Sequence, residues 1–151
     1  MSGKKCFLIG HRETTESISK QLTEVIQKHI EECGVTEFIV GHHGGFDRLA
    51  ALILTNIKTK YSGISLALLT AYHPATMNVN LPDGFDSIYY PSGMENTPPK
   101  YAIVKANQYV VDHSDYLIAY VWHSASNAMK LVEYAKRGQK KIVVTVIEKD
   151  K

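Results

Sequence analysis

Along this chain, short continuous apolar runs alternate with stretches in which apolar positions recur every third or fourth residue. "KCFLIG" (5–10) is the first continuous run and predicts a short buried strand. Ile18, Leu22, Val25, Ile26, Ile30 and Cys33 then fall on one helical face, and Gly34 stops that helix. "EFIVG" (37–41) predicts a second strand, followed by a helix from about Phe46 to Lys58 that is apolar on most sides. "GISLALLTAY" (63–72) predicts a third strand and "DSIYYP" (86–91) a shorter fourth. Thr97 before Pro98 and Pro99 predicts a helix start, with Thr as cap and Pro where no amide hydrogen is needed, running to about His113. "DYLIAYVW" (115–122) is the fifth predicted strand, 127–137 a helix, and "KKIVVTVI" (140–147) the sixth strand.

Continuous apolar strands alternating with helices predict a mainly parallel sheet covered on both faces. With right-handed crossovers this is an α/β fold, a Rossmann-like, doubly wound three-layer sandwich. With no internal repeat and no low-complexity linker, residues 1–151 are expected to form a single domain. One long irregular segment, 72–96, is rich in Pro, Gly and Asn and is expected to serve as a lid or wall.

Composition narrows the partners. A formal net charge of +2 argues against nucleic acid and against a membrane surface. Lys136 and Arg137, followed by Gly138, Lys140 and Lys141, read as a solvated helix end where cations offset the dipole. Cys6 and Cys33 read as buried thiols in a reducing compartment rather than a disulfide framework. "MSGKKCFLIG" is too short an apolar stretch for a signal peptide, and no segment approaches the ~20 apolar residues needed to span a bilayer. A cytoplasmic location is expected.

In open α/β sheets ligands bind beyond the carboxyl ends of the strands. Each predicted strand but the last gives way to a polar turn. "GHRETT" supplies His11 and Arg12, and "GHHGGFD" supplies His42, His43, Gly44, Gly45 and Asp47. "AYHP" supplies His73, "PSGMEN" supplies Glu95 and Asn96, and "HSASN" supplies His123, Ser124, Ser126 and Asn127. His11, His42, His43, His73 and His123, five of the seven histidines, thus share one edge, while the loops "CGVTE", "KYSG" and "RGQKK" at the opposite edge carry none. His29 and His113 fall on helices as packing or surface residues. All fourteen residues named at the carboxyl edge are taken as candidate ligand contacts, with no catalytic residue assigned.

The two strand-to-helix turns "GHHGGF" and "HSASNA" have the makings of phosphate cradles, because glycines admit close approach and helix amino termini carry partial positive charge. Arg12 suits a phosphate or carboxylate, and imidazoles suit bases, ribose hydroxyls or a pyrophosphate. No GxGxxG supports a dinucleotide cofactor, and none is expected. His42 and His43, being adjacent, point to opposite faces of an extended backbone, and no HxxxH or CxxC spacing supports a metal. No GxSxG elbow follows a strand.

Three segments, "CFLIGHR" (6–12), "GGFDRLAA" (44–51) and "KANQYVVDHSDYLIAYVWHSASNAMKLVEYAKRGQKKIVV" (105–144), resemble the SLOG superfamily, nearest to its small YpsA-like branch of bacteria and phages. That Rossmann-like group also joins the LOG phosphoribohydrolases and the DNA-processing protein DprA. The resemblance implies a nucleotide-derived ligand at the glycine turns. The apolar circumference of helix 46–58 reads either as a deeply buried helix or as a homodimer or homotetramer interface, and the resemblance also implies the latter. The LOG turn P-G-G-x-G-T-x-x-E corresponds here to "SASNAMKLVE", with Ser126 and Asn127 at glycine positions and Glu133 too far along. That departure argues against carrying the phosphoribohydrolase activity over.

The leading expectation is therefore a protein that binds an ADP-ribose or cyclic ADP-ribose-like signal without turnover, sensing or sequestering it in phage–bacterium immune signalling. The alternative is an N-glycosidase or phosphoribohydrolase-type nucleotide hydrolase, with Glu95 or Asp47 as general acid/base and Arg12 on phosphate. A third reading, a single-strand nucleic-acid binder like DprA, is disfavoured by the near-neutral charge.

Overall fold

The computed structural model describes residues 3–42, 44–73, 81–122, 126–138 and 142–147. The strands are β1 (Lys4–Gly10), β2 (Val35–Val40), β3 (Ser65–Leu69), β4 (Ser87–Tyr89), β5 (Tyr116–Tyr120) and β6 (Val143–Ile147). The helices are α1 (Ser19–Cys33), α2 (Gly45–Lys58), α3 (Pro99–Asp112) and α4 (Asn127–Arg137), with a 3-10 turn at Glu16–Ile18. All strand pairs are parallel, in the order β4-β3-β2-β1-β5-β6. The chain winds outward from β1 to β4, then returns to lay β5 on the other side of β1. That reversal is the topological switch point.

Alternation along each strand divides the core. Cys6, Leu8, Phe38, Val40 and Ile118 pack against α1 and α2, while Phe7, Ile39, Leu117 and Ala119 pack against α3 and α4. The predicted Rossmann-like, three-layer α/β arrangement is thus the observed one. Burial pushes the Cys6 thiol far above its ordinary value, and both cysteines are free thiols. Gly34 ends α1 in the left-handed conformation at φ 75°, which glycine adopts without steric cost.

Three expectations are refined. Thr97 does not cap α3: the cap position is Pro98, and the Thr97 hydroxyl instead accepts from Lys105 Nζ at 3.0 Å. Among the large apolar side chains of α2, Leu52 alone is well exposed, at 60%; Phe46, Leu49, Ile53, Leu54 and Ile57 are all buried. The breadth of that helix's apolar surface is used largely inside the fold, as the buried-helix reading expects. The described part of segment 72–96 is not a free lid. It adds β4 to the sheet, Gly84 packs on Thr55 of α2, and Met94 is buried.

At the amino-terminal edge one device recurs. Asp115 donates its amide to the Lys5 carbonyl and accepts the Lys5 amide on its carboxylate, both at 2.9 Å. Asp86 does the same with Leu66, at 2.8 Å each way. An aspartate just before the strand thus adds one rung to each parallel ladder. Lys58 Nζ joins Asp86 at 2.7 Å and the Gly84 carbonyl at 2.8 Å, tying α2 to the β4 border. At the other border, among the described residues, β6 pairs on one side only and leaves Val143 54% and Val146 39% exposed.

The Lys58 ammonium, then the Leu66 amide, hold the Asp86 carboxyl below its ordinary value. A depressed folded value contributes stability above the unfolded value, and that contribution is lost as pH falls through the folded one. Asp86→Ala should therefore cost about 1 kcal/mol at neutral pH, the exposure of the pair limiting its worth. In urea titrations the gap from wild type should be open at pH 7 and narrow as the pH drops below about 4.

Candidate functional site

β1 and β5 run in register to Gly10 and Tyr120, so the next residues of each emerge side by side at the carboxyl edge. A cleft of about 340 Å³ opens there. Its walls are the end of β1 with Gly10, His11, Arg12 and Glu13, the turn after β2 with Gly41, Gly44 and Asp47, the start of α4 with Ser126, Asn127 and Ala128, and Ile103 and Asn107 of α3.

His11 is 5% exposed, and its Nε2 accepts the Trp122 backbone amide at 2.8 Å. An accepting Nε2 bears no proton, which places the ring proton on Nδ1. The imidazole extends the β1–β5 ladder one step past the strands and lies edge-on to the rings of Tyr120 and Trp122, at 5.8 and 5.0 Å. Arg12, by contrast, is exposed.

The glycines beside His42 have a packing role. A Cβ on Gly44 would lie 2.7 Å from the Arg12 Cα, and one on Gly45 would lie 2.6 Å from the Arg12 carbonyl oxygen. Both clash with backbone, which has no rotamer to escape into. The loop leaving β1 rides directly over the first turn of α2, and only residues without side chains fit beneath it. That loop also takes the turn's donors: Gly45 N–H goes to Arg12 O at 2.8 Å and Phe46 N–H to His11 O at 3.3 Å. Two of the amides expected to cradle a phosphate are therefore already donated.

At α4 the arrangement differs. The Ser126 hydroxyl accepts the Met129 amide at 3.0 Å, a regular amino-terminal cap, and Asn127 and Ala128 at the first two helical positions line the cleft. This helix presents its positive end to the opening. The wall carries both signs of charge, Arg12 against Glu13 and Asp47. Two carboxylates oppose a buried pyrophosphate, but carboxylates and Asn107 accept hydrogen bonds from the amino groups of a base.

Of the sequence-derived candidates, His11, Arg12, Gly44, Asp47, Ser126 and Asn127 line this cleft. Gly45 sits behind it under the β1 loop. His42 is exposed and donates from Nδ1 to the Leu69 carbonyl at 3.2 Å, away from the cleft wall. His73 packs edge-on to Tyr90 at 5.4 Å, and Glu95 and Asn96 are exposed in the segment before α3. His43, His123 and Ser124 lie outside the described residues. Residues that sequence reasoning missed are Glu13, Gly41, Ile103 and Asn107. Among the described residues no three His, Cys, Asp or Glu side chains converge to hold a metal, and no helix is long and apolar enough to cross a membrane.

Neither a family model nor a curated protein matches the chain. Among solved structures it is similar to DNA processing protein A (DprA) of Helicobacter pylori, with a TM-score of 0.59 and 20% identity, covering 94% of this chain. The chain shares its fold with that structure. It spans 65% of the length of that structure, which is described by its unique single-stranded DNA binding mode.

That similarity corrects two expectations. The nucleotide-derived small-molecule reading, with its ADP-ribose, signalling and anti-defence content and its phosphoribohydrolase alternative, gives way. So does the exclusion of nucleic acid as a partner. The physical faults are identifiable. A net charge of +2 averages over the whole surface and says little about one edge, and the glycine turn taken for a phosphate cradle has its amides engaged within the fold.

The packing reading of the glycine turn has a direct consequence. Gly45→Ala should destabilise the fold by about 1–3 kcal/mol, the usual cost of overpacking, measured by denaturant unfolding. Fully retained stability would show that the loop from β1 has room to move away.

Proposed function

We propose that residues 1–151 act as one cytoplasmic, single-stranded nucleic-acid-binding domain of SLOG type, from the small YpsA-like branch, taking a strand across the switch-point cleft. The observation that carries this reading is the similarity, over 94% of the chain, to a structure solved for its single-stranded DNA binding mode. The chemistry of the edge supports it. Because every helix follows its strand back across the sheet, the amino termini of α2, α3 and α4 all gather at the carboxyl edge. Of these, α4 opens its positive end toward the cleft and favours a phosphate passing over the surface, with Arg12 exposed on the same wall. Nearby on α3, Tyr101 is 55% exposed, with the Lys100 ammonium 5.0 Å from its ring centre. Exposed aromatic faces and cations together are what binding of single strands requires. The mixed-charge cleft suits an uncharged base better than a phosphate.

The test is fluorescence anisotropy of a labelled deoxycytidine oligonucleotide, whose bases carry the amino group the cleft suits, over a salt series. Affinity should fall steeply with salt, and the matched duplex should bind more weakly. Arg12→Gln, which keeps the aliphatic stem over Gly44, should weaken binding and flatten the logarithmic salt slope by about 0.7, the effect of one phosphate contact on a single strand. No binding at low salt, or equal affinity for duplex, would overturn the proposal.

A further inference from the structure

The sequence contains a single tryptophan, Trp122, and the fold places it against His11, which lines the cleft. It lies two positions past the last residue of β5, at the carboxyl edge, where a large aromatic ring has no sheet to cover. It is 38% exposed, although most of the apolar residues around the switch point are fully buried. Its backbone is tied down, since the amide donates to His11 Nε2 at 2.8 Å, and its ring stands edge-on to that imidazole at 5.0 Å. His11 itself forms part of the cleft wall. The result is a rigidly mounted, partly open indole next to a cleft whose polar groups suit a base.

We infer that Trp122 is the platform on which one unpaired base stacks as a strand crosses the cleft, with His11 as the positioning residue that holds it. This rests on the proposed single-strand reading and deepens it. Stacking demands a base free of its own helical neighbours, so the same indole gives a physical reason for preferring single strands to duplex. The cleft, at about 340 Å³, lies at the small end of ligand-site volumes, so a strand runs across its opening and turns in a single nucleotide at most. Phosphates then remain outside, near Arg12 and the start of α4, while the base meets Asn107, Glu13 and Asp47.

Because there is one tryptophan, its emission reports this event directly. Two titrations run in parallel on the intact chain: anisotropy of a labelled deoxycytidine oligonucleotide, and intrinsic emission with the unlabelled strand. A matched abasic strand serves as control. Saturable quenching by the base-bearing strand, with binding but little quenching by the abasic strand, supports stacking. Trp122→Leu should weaken oligonucleotide binding between about 5- and 150-fold, the range for losing one stacked base, while Trp122→Phe retains most of the affinity. If anisotropy shows binding but emission is unchanged, or the abasic strand quenches equally, the stacking assignment is wrong and the single-strand reading stands. If the labelled oligonucleotide fails to bind at all, both fall together.

Discussion

Side chains close both ends of the ladder between β1 and β5. At the amino edge the Asp115 carboxylate takes the Lys5 amide, and at the carboxyl edge His11 takes the amide of Trp122. Between them runs the pairing from Cys6–Tyr116 to Gly10–Tyr120. This seam joins the two halves of a doubly wound sheet, and α3 crosses over it on the way from β4 to β5. Were it to slip by one residue, Phe7 and Leu117 would exchange faces with Leu8 and Ile118 and both cores would come apart. The cleft exists because the chain reverses its winding here, leaving the loops on either side of the seam to diverge.

The crowding beside that seam decides what the cleft can hold. A Cβ at Gly10 would meet the Phe46 ring at 2.3 Å, and Gly44 and Gly45 meet the backbone of the loop from β1. The start of α2 is therefore sealed against the end of β1, by contact and by two hydrogen bonds. Only α4 opens toward the cleft. One helix terminus is a modest attraction for a single phosphate, weaker than the paired cradle a pyrophosphate would need.

Much of the architecture was legible in the chain itself because strand and helix periods are cleanly separated. The six apolar runs became the six strands, and Gly34 marked the end of α1. The cap of α3 was misread because Thr97 is the better capping side chain on propensity, yet Pro98 already has the extended backbone that position needs, and Thr97 is drawn to Lys105. The site was legible only in part. His11, Arg12, Asp47, Ser126 and Asn127 come after strands and so land at the carboxyl edge by topology alone. Ile103 and Asn107 arrive from the flank of α3, where a polar residue amid an amphipathic pattern looks like surface. Among the described histidines, shared edge position does not fix direction. His42 turns to the Leu69 carbonyl and His73 to Tyr90, each meeting a local need.

The sheet's two borders are protected unequally. β4 is three residues long and is fastened to α2 through Lys58 and Asp86. β6 is longer, its five described residues are Val, Val, Thr, Val and Ile, and no charge interrupts them. Its outer rim presents backbone donors and acceptors with β-branched side chains alongside, a combination that invites strand addition from a neighbouring molecule. Among the described residues this rim is the less protected border of the sheet, so strand addition by a neighbour would begin there, away from the cleft.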